Sequence, residues 1–379
     1  MNRPLQGIRI IDLTRLLPGP FITQLLTDMG AEVIKIETPT AGDYARLVPP
    51  EMGLGSLFEM INQGKKSVAI NYRNPRGREA YLKLVSSADV VIESFRPGTA
   101  ERMKIDYETL RTLKPDLIYC ALSGYGQKGP YNKRAGHDLN YTAISGALSL
   151  NADEGQPPHV YGMTVADLSG AMLAGLTILG AIINKQKNGQ GTYLDVALFD
   201  GILSWMIPIA GAAYFSGIPL TAGTLPLLGG LACYNVYETA DGKFLSLAAL
   251  EPTFWSDFCK VSGRNDLLPR QFDRAIKSEV ATIFKGQTLS HWLEAFSMSD
   301  GCVEPVLSFE EALEHPQVKA RGFVRHENNR PIGLNSPFNY GSDEARPAPS
   351  LGEHTVELLS EFLNQNEIDE LSQSGVIKK

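Results

Sequence analysis

Residues 8–38, "IRIIDLTRLLPGPFITQLLTDMGAEVIKIET", decide the fold class. The run 8–14 is typical of a buried strand, and a Pro-Gly-Pro turn follows it at 18–20. A helical pattern then ends at Gly30, which we expect to be a C-cap, and 31–38 is typical of the next strand. Strand, turn, helix and strand in this order favour a parallel, Rossmann-like unit.

The same alternation continues along the chain. Further strands are predicted at "KSVAINY", "DVVIESF" and "DLIYCALS", with helices at "NPRGREAYLKLVSSA" and around "YETLRTL". Because at least four strands alternate with helices, the sequence predicts an α/β fold with a doubly wound parallel sheet.

The pattern changes in the second half of the chain. "CYNVYETADGKFLSLAAL" (233–250) predicts an antiparallel hairpin with "ADG" at its turn, and amphipathic helices follow it. We therefore predict a Rossmann-like large domain from 1–206 and 331–379, a Gly- and Pro-rich linker at 207–230, and a smaller α+β domain at 231–330. The tail from 354 to 377 is predicted to be helical.

Composition excludes several classes of function. The formal charge is −7, from 35 basic and 42 acidic residues, which gives no general reason to bind nucleic acid. The four cysteines show no C-x-x-C spacing, so neither a metal site nor a disulfide framework is expected, and a reducing cytoplasm suits the chain. The apolar run 168–183 fits a buried core helix better than a membrane span, and no signal peptide is predicted at the N-terminus.

Three ionisable side chains stand at predicted helix starts or strand ends. His137, in "AGHDLNYTAISGA", begins a helix, where the positive end of the dipole lowers an imidazole pKa and favours a neutral base. The alternative is a structural helix-end residue. Asp167, in "TVADLSGAMLAG", is also at a helix start, where an N-cap role is the simplest interpretation. Glu251 follows an apolar strand directly and is poorly placed unless something pairs with it, a surface turn being the alternative.

Basic residues follow several of the predicted strands. Lys65 and Lys66, Arg73 and Arg96 stand where phosphates meet the carboxyl ends of parallel strands, although most such side chains are simply solvated. The sequence contains neither a G-x-G-x-x-G turn that opens a helix after a strand nor a P-loop, and no G-x-S-x-G elbow supports a serine hydrolase.

Taken together, ordered blocks along nearly the whole chain resemble the class III CoA-transferase superfamily (CaiB/BaiF type), which also contains α-methylacyl-CoA racemases. The blocks include "LQGIRIIDLTRLLPGPF", "NQGKKSVAINYRNPRG", "ADVVIESFRPG", "GHDLNY", "VADLSGAMLAGL", "GQGTYLDVALFDG" and "ADGKFLSLAALEPTFW". The resemblance implies a Rossmann-like large domain, a small domain and an interlocked homodimer. It also implies an acyl-CoA substrate and no cofactor beyond the CoA that the substrate carries.

The resemblance also implies roles for individual residues. In the transferases one Asp, here Asp167, attacks the thioester and forms a mixed anhydride. In the racemases the same Asp and the His of "GHD", here His137, are the acid/base pair, and a Glu after a small-domain strand, here Glu251, orients the His. Contacts with CoA are expected from the following residues: Ala69, Ile70, Asn71, Tyr72, Arg96, Gln127, Lys128, Gly136 and Asp138. Racemases often carry Arg where this chain has Thr38, so the contact near Thr38 is in doubt.

Because all three catalytic residues are present, the resemblance favours the racemase branch. The expected reaction is epimerisation of a 2-methylacyl-CoA by 1,1-proton transfer, which needs a base on one face of the α-carbon and an acid on the other. Backbone N–H groups at a helix start are a candidate support for the enolate oxygen. A helix N-terminus favours ionised Asp, so racemisation requires desolvation to raise the Asp167 pKa. The alternatives are a CoA-transferase that uses Asp167 as nucleophile and a catalytically silent CoA-binding protein.

Overall fold

Twelve strands form three sheets within the residues that the computed structural model describes, which are 3–48, 57–217, 219–327, 330–338 and 346–379. The strands are β1 (Arg9–Leu13), β2 (Glu32–Glu37), β3 (Lys66–Ile70), β4 (Val90–Glu93), β5 (Ile118–Ser123), β6 (Thr192–Ala197), β7 (Tyr234–Glu238), β8 (Phe244–Ala248), β9 (Val303–Pro305), β10 (Val324–Glu327), β11 (Arg330–Leu334) and β12 (Ile377–Lys378).

The main sheet has the strand order β12-β3-β2-β1-β4-β5-β6. Strands β1 to β6 are parallel, which confirms the parallel core predicted from the alternating pattern. Apolar β-branched residues explain the buried strands: Ile10 pairs with Val33 on one side and Val90 on the other, and all three are buried. Successive strands are added to one side of β1 up to β3 and to its other side from β4 onward. The loops after β1 and β4 therefore lead to opposite faces of the sheet and leave a crevice between them.

The edge of this sheet differs from the prediction. β12 pairs antiparallel with β3, with Ile377 opposite Ile70, so the sheet is mixed rather than wholly parallel. The tail was predicted to be helical, and two helices do form there, but its last residues return to the sheet. A two-residue strand carries no periodicity that the sequence could reveal.

The helices connect these strands and flank the sheets. They are α1 (Pro18–Asp28), α2 (Leu57–Ile61), α3 (Pro75–Val85), α4 (Thr99–Met103), α5 (Tyr107–Leu113), α6 (Asp138–Ile144), α7 (Val165–Asn188), α8 (Leu198–Trp205), α9 (Ile207–Gly211), α10 (Pro252–Val261), α11 (Lys277–Lys285), α12 (Leu289–Phe296), α13 (Phe309–Glu314), α14 (Pro316–Ala320), α15 (Thr355–Leu359) and α16 (Gln365–Gln373). Short 3-10 helices are Tyr44–Arg46, Leu148–Leu150, Pro226–Leu228, Asn265–Arg270 and Arg274–Ile276, and Ala212–Ser216 is π-helical.

The Pro-Gly-Pro segment corrects one detail of the sequence analysis. It was predicted as a turn before the helix, yet α1 begins at Pro18. Proline suits the first helical positions because the N–H that it lacks has no partner within the helix there. Gly30, with φ +103°, follows the last turn as expected for a residue that ends a helix.

The apolar run 168–183 lies within α7, which packs against α1, α8 and β5. Glycines on α7 permit close approach, because a Cβ at Gly175 would lie 2.4 Å from Cδ1 of Ile22 and one at Gly170 would lie 2.7 Å from Cα of Leu198. By length and composition α7 could cross a membrane, but half of its most apolar window is buried inside the protein. This packing favours the core-helix interpretation.

The described chain divides into two compact units. One comprises Met1–Ser145, Gly162–Trp205 and Gly322–Lys379, and the other comprises Gly146–Tyr161 and Met206–Arg321. The second unit contains the predicted hairpin as antiparallel β7 and β8, with β9 beside β8. The segment 207–230, predicted as a linker, belongs to this unit and is helical at its start.

Candidate active site

A cleft of about 550 Å³ opens in the first unit at the carboxyl ends of the parallel strands. Its walls come from the loops after β1, β2, β3, β4 and β5, together with α6 and the starts of α7 and α8. This is the position at which doubly wound sheets bind nucleotide-like ligands, since strand order reverses between β1 and β4.

Four arginines line the cleft: Arg15, Arg73, Arg96 and Arg134. Arg15 is the most constrained of them, because its guanidinium lies 5.3 Å from the ring centre of Tyr44 and 5.8 Å from that of Phe95. Its Nη2 also donates to the Tyr72 hydroxyl over 3.3 Å. Planar guanidinium groups suit phosphate oxygens, so these walls fit a ligand with several phosphates.

The loop after β1 is held by buried charges. Leu16 has a positive φ of 60°, and its N–H donates to Oδ1 of Asp43 over 3.1 Å. Oδ2 of Asp43 lies 2.8 Å from Nζ of Lys35, which in turn donates to the Thr14 carbonyl over 3.0 Å. Lys35 and Asp43 are both buried, so their attraction is little screened and fixes the strained loop at the cleft wall.

A second buried cation lies beside the first. Nζ of Lys65 lies 3.5 Å from Oδ2 of Asp12 and donates to the Pro20 carbonyl, the Thr23 hydroxyl and the Asn62 side-chain carbonyl. Burial lowers the pKa of Lys65 to about 7, against the opposing attraction of Asp12. The sequence suggests Lys65 as a phosphate contact. In the structure it is buried, and its ammonium group contacts Asp12 in β1 and the Pro20 carbonyl in α1.

The two predicted acid/base residues line the same cleft, each at a helix start. His137 is the residue that precedes α6, and its backbone N–H donates to Oδ1 of Asn140 over 3.0 Å. Asp167 is the third residue of α7, whose N-cap is Thr164. The simplest sequence interpretation of Asp167, that it is itself the N-cap, is therefore wrong.

Asp138 connects the two helix starts. Its Oδ1 accepts the backbone N–H of Ala166 over 2.6 Å and that of Asp167 over 3.0 Å. The family resemblance implies a CoA contact from Asp138, and in the structure the Asp138 carboxylate accepts these two protein N–H groups. These amides were also candidates for supporting an enolate oxygen, and this carboxylate already occupies them.

The protonation of Asp167 depends on this surrounding structure. Desolvation by burial raises its pKa to about 6, the charge of Asp138 adds to the increase, and His137 opposes it. The shift is in the direction that proton donation by this carboxyl requires.

Aromatic residues that the sequence analysis missed support the loop before His137. The Tyr141 hydroxyl donates to the Gly136 carbonyl over 2.7 Å, and the Tyr125 ring packs edge-on against Tyr141 with centres 5.0 Å apart. A Cβ at Gly136 would lie 2.8 Å from Cε1 of Tyr141, and one at Gly124 would lie 2.4 Å from its hydroxyl. Gly136 was expected to contact CoA; it lines the cleft, and it also leaves room for Tyr141. In the sequence, the only trace of this contact is the G-x-x-x-x-Y spacing between Gly136 and Tyr141.

The residues expected to contact CoA at the end of β3 are arranged differently. Ala69 and Ile70 are fully buried, and the Ala69 N–H donates to the Thr355 hydroxyl. The Asn71 N–H donates to the carbonyl of Val376 in the tail. The side chains of Ala69 and Ile70 are therefore not exposed to a ligand. The Tyr72 hydroxyl accepts a hydrogen bond from Arg15, which lines the cleft.

The remaining predicted contacts differ in whether they line the cleft. Arg96 lines it and also lines a smaller pocket of about 250 Å³ with Gln127. The Gln127 backbone N–H donates to Oδ1 of Asp195 over 3.0 Å. Lys128 is exposed and lines neither pocket, and Thr38 donates to the Gly42 carbonyl over 3.5 Å.

Glu251 lies in the second unit. It is exposed and is the residue that precedes α10, whose first residue is Pro252. Its role in orienting His137 stays a prediction. Within the described ranges, no three His, Cys, Asp or Glu side chains are grouped so that they could hold a metal ion.

Fold and cleft together define an α/β protein with an arginine-lined ligand site and a His–Asp pair. Residues 5–355 match the family model for CoA-transferase family III. The chain belongs to this family.

Relatives with two different reactions are equally similar. The chain is 33% identical to "Alpha-methylacyl-CoA racemase" of Homo sapiens, over 99% of this chain and 97% of that protein. It is 32% identical to "Succinyl-CoA:glutarate CoA-transferase" of Homo sapiens, over 99% of this chain and 90% of that protein. A CAIB/BAIF family protein from Brucella suis has a similar crystal structure, with a TM-score of 0.81 and 28% identity over 95% of this chain and all of that one. Sequence identity therefore establishes the enzyme family but does not distinguish the two reactions, so the case for one of them has to come from the residues of the site.

Proposed function

We propose that the protein is an acyl-CoA isomerase that epimerises a 2-methylacyl-CoA by 1,1-proton transfer at the thioester α-carbon. The observation that carries this proposal is the pair of His137 and Asp167 in one cleft, with the Asp167 pKa raised to about 6. A carboxyl group that titrates near the working pH serves both as acid and as base. The arginines of the same cleft would bind the phosphates of CoA.

In the proposed reaction, one residue removes the α-proton and its electron pair moves to the thioester, giving an enolate. The other residue then delivers a proton to the opposite face of the α-carbon. The roles of His137 and Asp167 exchange with the direction of reaction. The enolate oxygen needs a donor other than the amides of Ala166 and Asp167, which Asp138 occupies.

The proposal includes an interlocked homodimer in the cytoplasm and no cofactor beyond the CoA of the substrate. Exposed aromatic and aliphatic side chains at 205–216 support self-association, since Tyr214 and Phe215 are 82% and 91% exposed. Light scattering on a sizing column tests it, because a monomer at micromolar concentration contradicts a stable dimer.

A second candidate is a CoA-transferase with Asp167 as nucleophile, favoured by the similarity to the glutarate CoA-transferase over nearly the whole chain. In this reaction the Asp167 carboxylate attacks the thioester carbon and releases CoA thiolate, leaving a mixed anhydride. CoA thiolate then attacks the Asp167 carbonyl of the anhydride, which releases the donor carboxylate and leaves an aspartyl-CoA thioester. The acceptor carboxylate displaces CoA thiolate to form a second anhydride, and CoA thiolate attacks its acyl carbonyl, giving the new acyl-CoA and free Asp167 without any α-proton transfer.

One experiment separates the two candidates. The enzyme is incubated in heavy water with a single epimer of a 2-methylacyl-CoA and no acceptor acid. We expect deuterium at the α-carbon together with epimerisation. CoA transfer to added carboxylates and a hydroxylamine-trappable Asp167, without deuterium uptake, would instead establish the transferase.

Matched histidine variants sharpen the experiment. His137→Ala should abolish α-proton exchange, while a transferase would stay partly active. His159→Ala is the control, because His159 is exposed and its hydrogen bonds with Asn151 involve only its backbone. Equal exchange rates for both variants would exclude His137 from the chemistry.

A further inference from the structure

The Asp138 carboxylate joins the two helices that carry the acid/base pair. It belongs to the first residue of α6, next to His137 in the chain. Through one oxygen it accepts two N–H groups in the first turn of α7, including that of Asp167 itself. A charged acceptor makes such bonds roughly twice as strong as neutral ones. The Asp138 side chain thereby links the backbones at His137 and Asp167, in addition to the packing of α6 against α7.

The same bonds change the electrostatics at the start of α7. The unpaired N–H groups of a helix start carry partial positive charge, which stabilises a nearby carboxylate. Here the Asp138 carboxylate accepts two of these N–H groups and offsets their positive charge, so they stabilise an ionised Asp167 less. The negative charge of Asp138 also repels a second negative charge on Asp167.

Other ionisable groups line the same cleft. They are Tyr141 on α6, His137 directly before it, Tyr44 after β2, and Arg15, Arg73, Arg96, Tyr125 and Arg134 in the loops after β1, β3, β4 and β5; Asp200 lies in the first turn of α8, which packs against α7. His137 lowers the pKa of Asp167, and Asp138 raises it.

We propose that Asp138 is a positioning residue: it ties the start of α7 to the start of α6 and keeps Asp167 able to hold the proton that it donates. This inference rests on the proposed function, since only a two-way proton transfer needs that property. It assigns to the Asp138 carboxylate a role within the protein instead of the expected contact with CoA.

Two substitutions separate geometry from charge. Asp138→Asn retains the oxygen that accepts both N–H groups but removes the charge, whereas Asp138→Ala removes both. Asp106→Asn is the control, because Asp106 caps α5 through the Thr109 N–H in the same way but has no effect on Asp167.

The first measurement is independent of activity. Protein labelled with ¹³C at the aspartate carboxyls is titrated by NMR, with Asp167 assigned by comparison with Asp167→Asn. We expect its midpoint to fall by at least about 0.5 pH unit in Asp138→Asn, because a neighbouring like charge has been removed. It should stay in place in Asp106→Asn. An unchanged midpoint in Asp138→Asn overturns the inference.

The second measurement is the pH dependence of deuterium exchange for each epimer. The limb of the pH profile that reports the ionisation of Asp167 should move to lower pH in Asp138→Asn. Asp138→Ala should lose at least about tenfold in kcat with little change in KM, because the acid/base pair is misplaced after the substrate has bound. Full activity of Asp138→Ala contradicts the positioning role.

The two proposals fail in distinguishable ways. If the wild-type enzyme exchanges no α-proton, yet the NMR midpoint shifts as expected in Asp138→Asn, the isomerase proposal fails and the coupling of Asp138 to Asp167 stands. If exchange occurs but neither the midpoint nor the pH limb responds to Asp138→Asn, the isomerase stands and the positioning inference fails.

Discussion

Replacing Asp167 with Asn should stabilise the protein while it inactivates the enzyme. The pKa of Asp167 is raised from 3.8 to about 6, chiefly by burial. No described residue forms a hydrogen bond with its carboxylate, so Asn loses no such partner. Two pH units at 1.36 kcal/mol each give a penalty for the ionised form of up to about 3 kcal/mol.

The sign of this effect is set by the direction of the pKa shift. Because the folded-state pKa lies above the unfolded value, the penalty is absent below about pH 4 and complete above about pH 6. The stability advantage of Asp167→Asn over the wild type should therefore grow by about 1.4 kcal/mol between pH 5 and pH 8. Urea unfolding followed by tryptophan fluorescence at these two pH values measures it. An equal difference at both pH values, or a less stable variant at pH 8, would refute the reasoning.

Three further substitutions test the supports of the cleft. Lys65→Met should lose the rise in unfolding free energy that the wild type shows between pH 7 and pH 10, because burial lowers the pKa of Lys65 from 10.5 in the unfolded chain to about 7; an equal pH dependence of the two proteins in urea unfolding would contradict this. Gly136→Ala should reduce kcat on the order of tenfold or more, because the new Cβ collides with Tyr141 and shifts the loop before the catalytic His; unchanged kcat in the exchange assay would contradict this. Thr355→Val should cost about 1–3 kcal/mol of stability, since a buried β3 amide loses its acceptor, whereas Thr355→Ser should cost much less; equal losses in thermal unfolding would assign the effect to packing.

The parallel core was predictable because its strands are unusually uniform. Runs such as Ile10–Ile11 and Val90–Val91–Ile92 are buried on both faces, so they appear in the sequence as continuous apolar stretches between helical patterns. The added strand β12 was not predictable. Its pairing depends on the distant partner β3, and two residues give no local signal.

The candidate site was predictable in part, because its two main residues lie at recognisable helix starts. His137 and Asp167 stand at starts of periodic helices, and their blocks carried the family resemblance. The contribution of Asp138 was hidden, because its partners lie 28 and 29 residues further along the chain. Ala69 and Ile70 lie in a block that matched the family pattern, and their contact with CoA stays a prediction. Their burial was hidden from the sequence, because it depends on pairing with residues near the C-terminus.

The position of Asp167 poses a conflict that the structure resolves through its neighbour. A carboxylate in the first turn of a 24-residue helix ought to be stabilised in its ionised form, which suits a nucleophile. A residue that must release a proton and then take one back requires the opposite environment. Burial is the larger cause of the raised Asp167 pKa, and Asp138 adds to it while its carboxylate occupies two of the N–H groups at this helix start. The protonation behaviour of Asp167 is thus a property of the pair of helix starts, and a family member with the same Asp but without this carboxylate should favour transfer over racemisation.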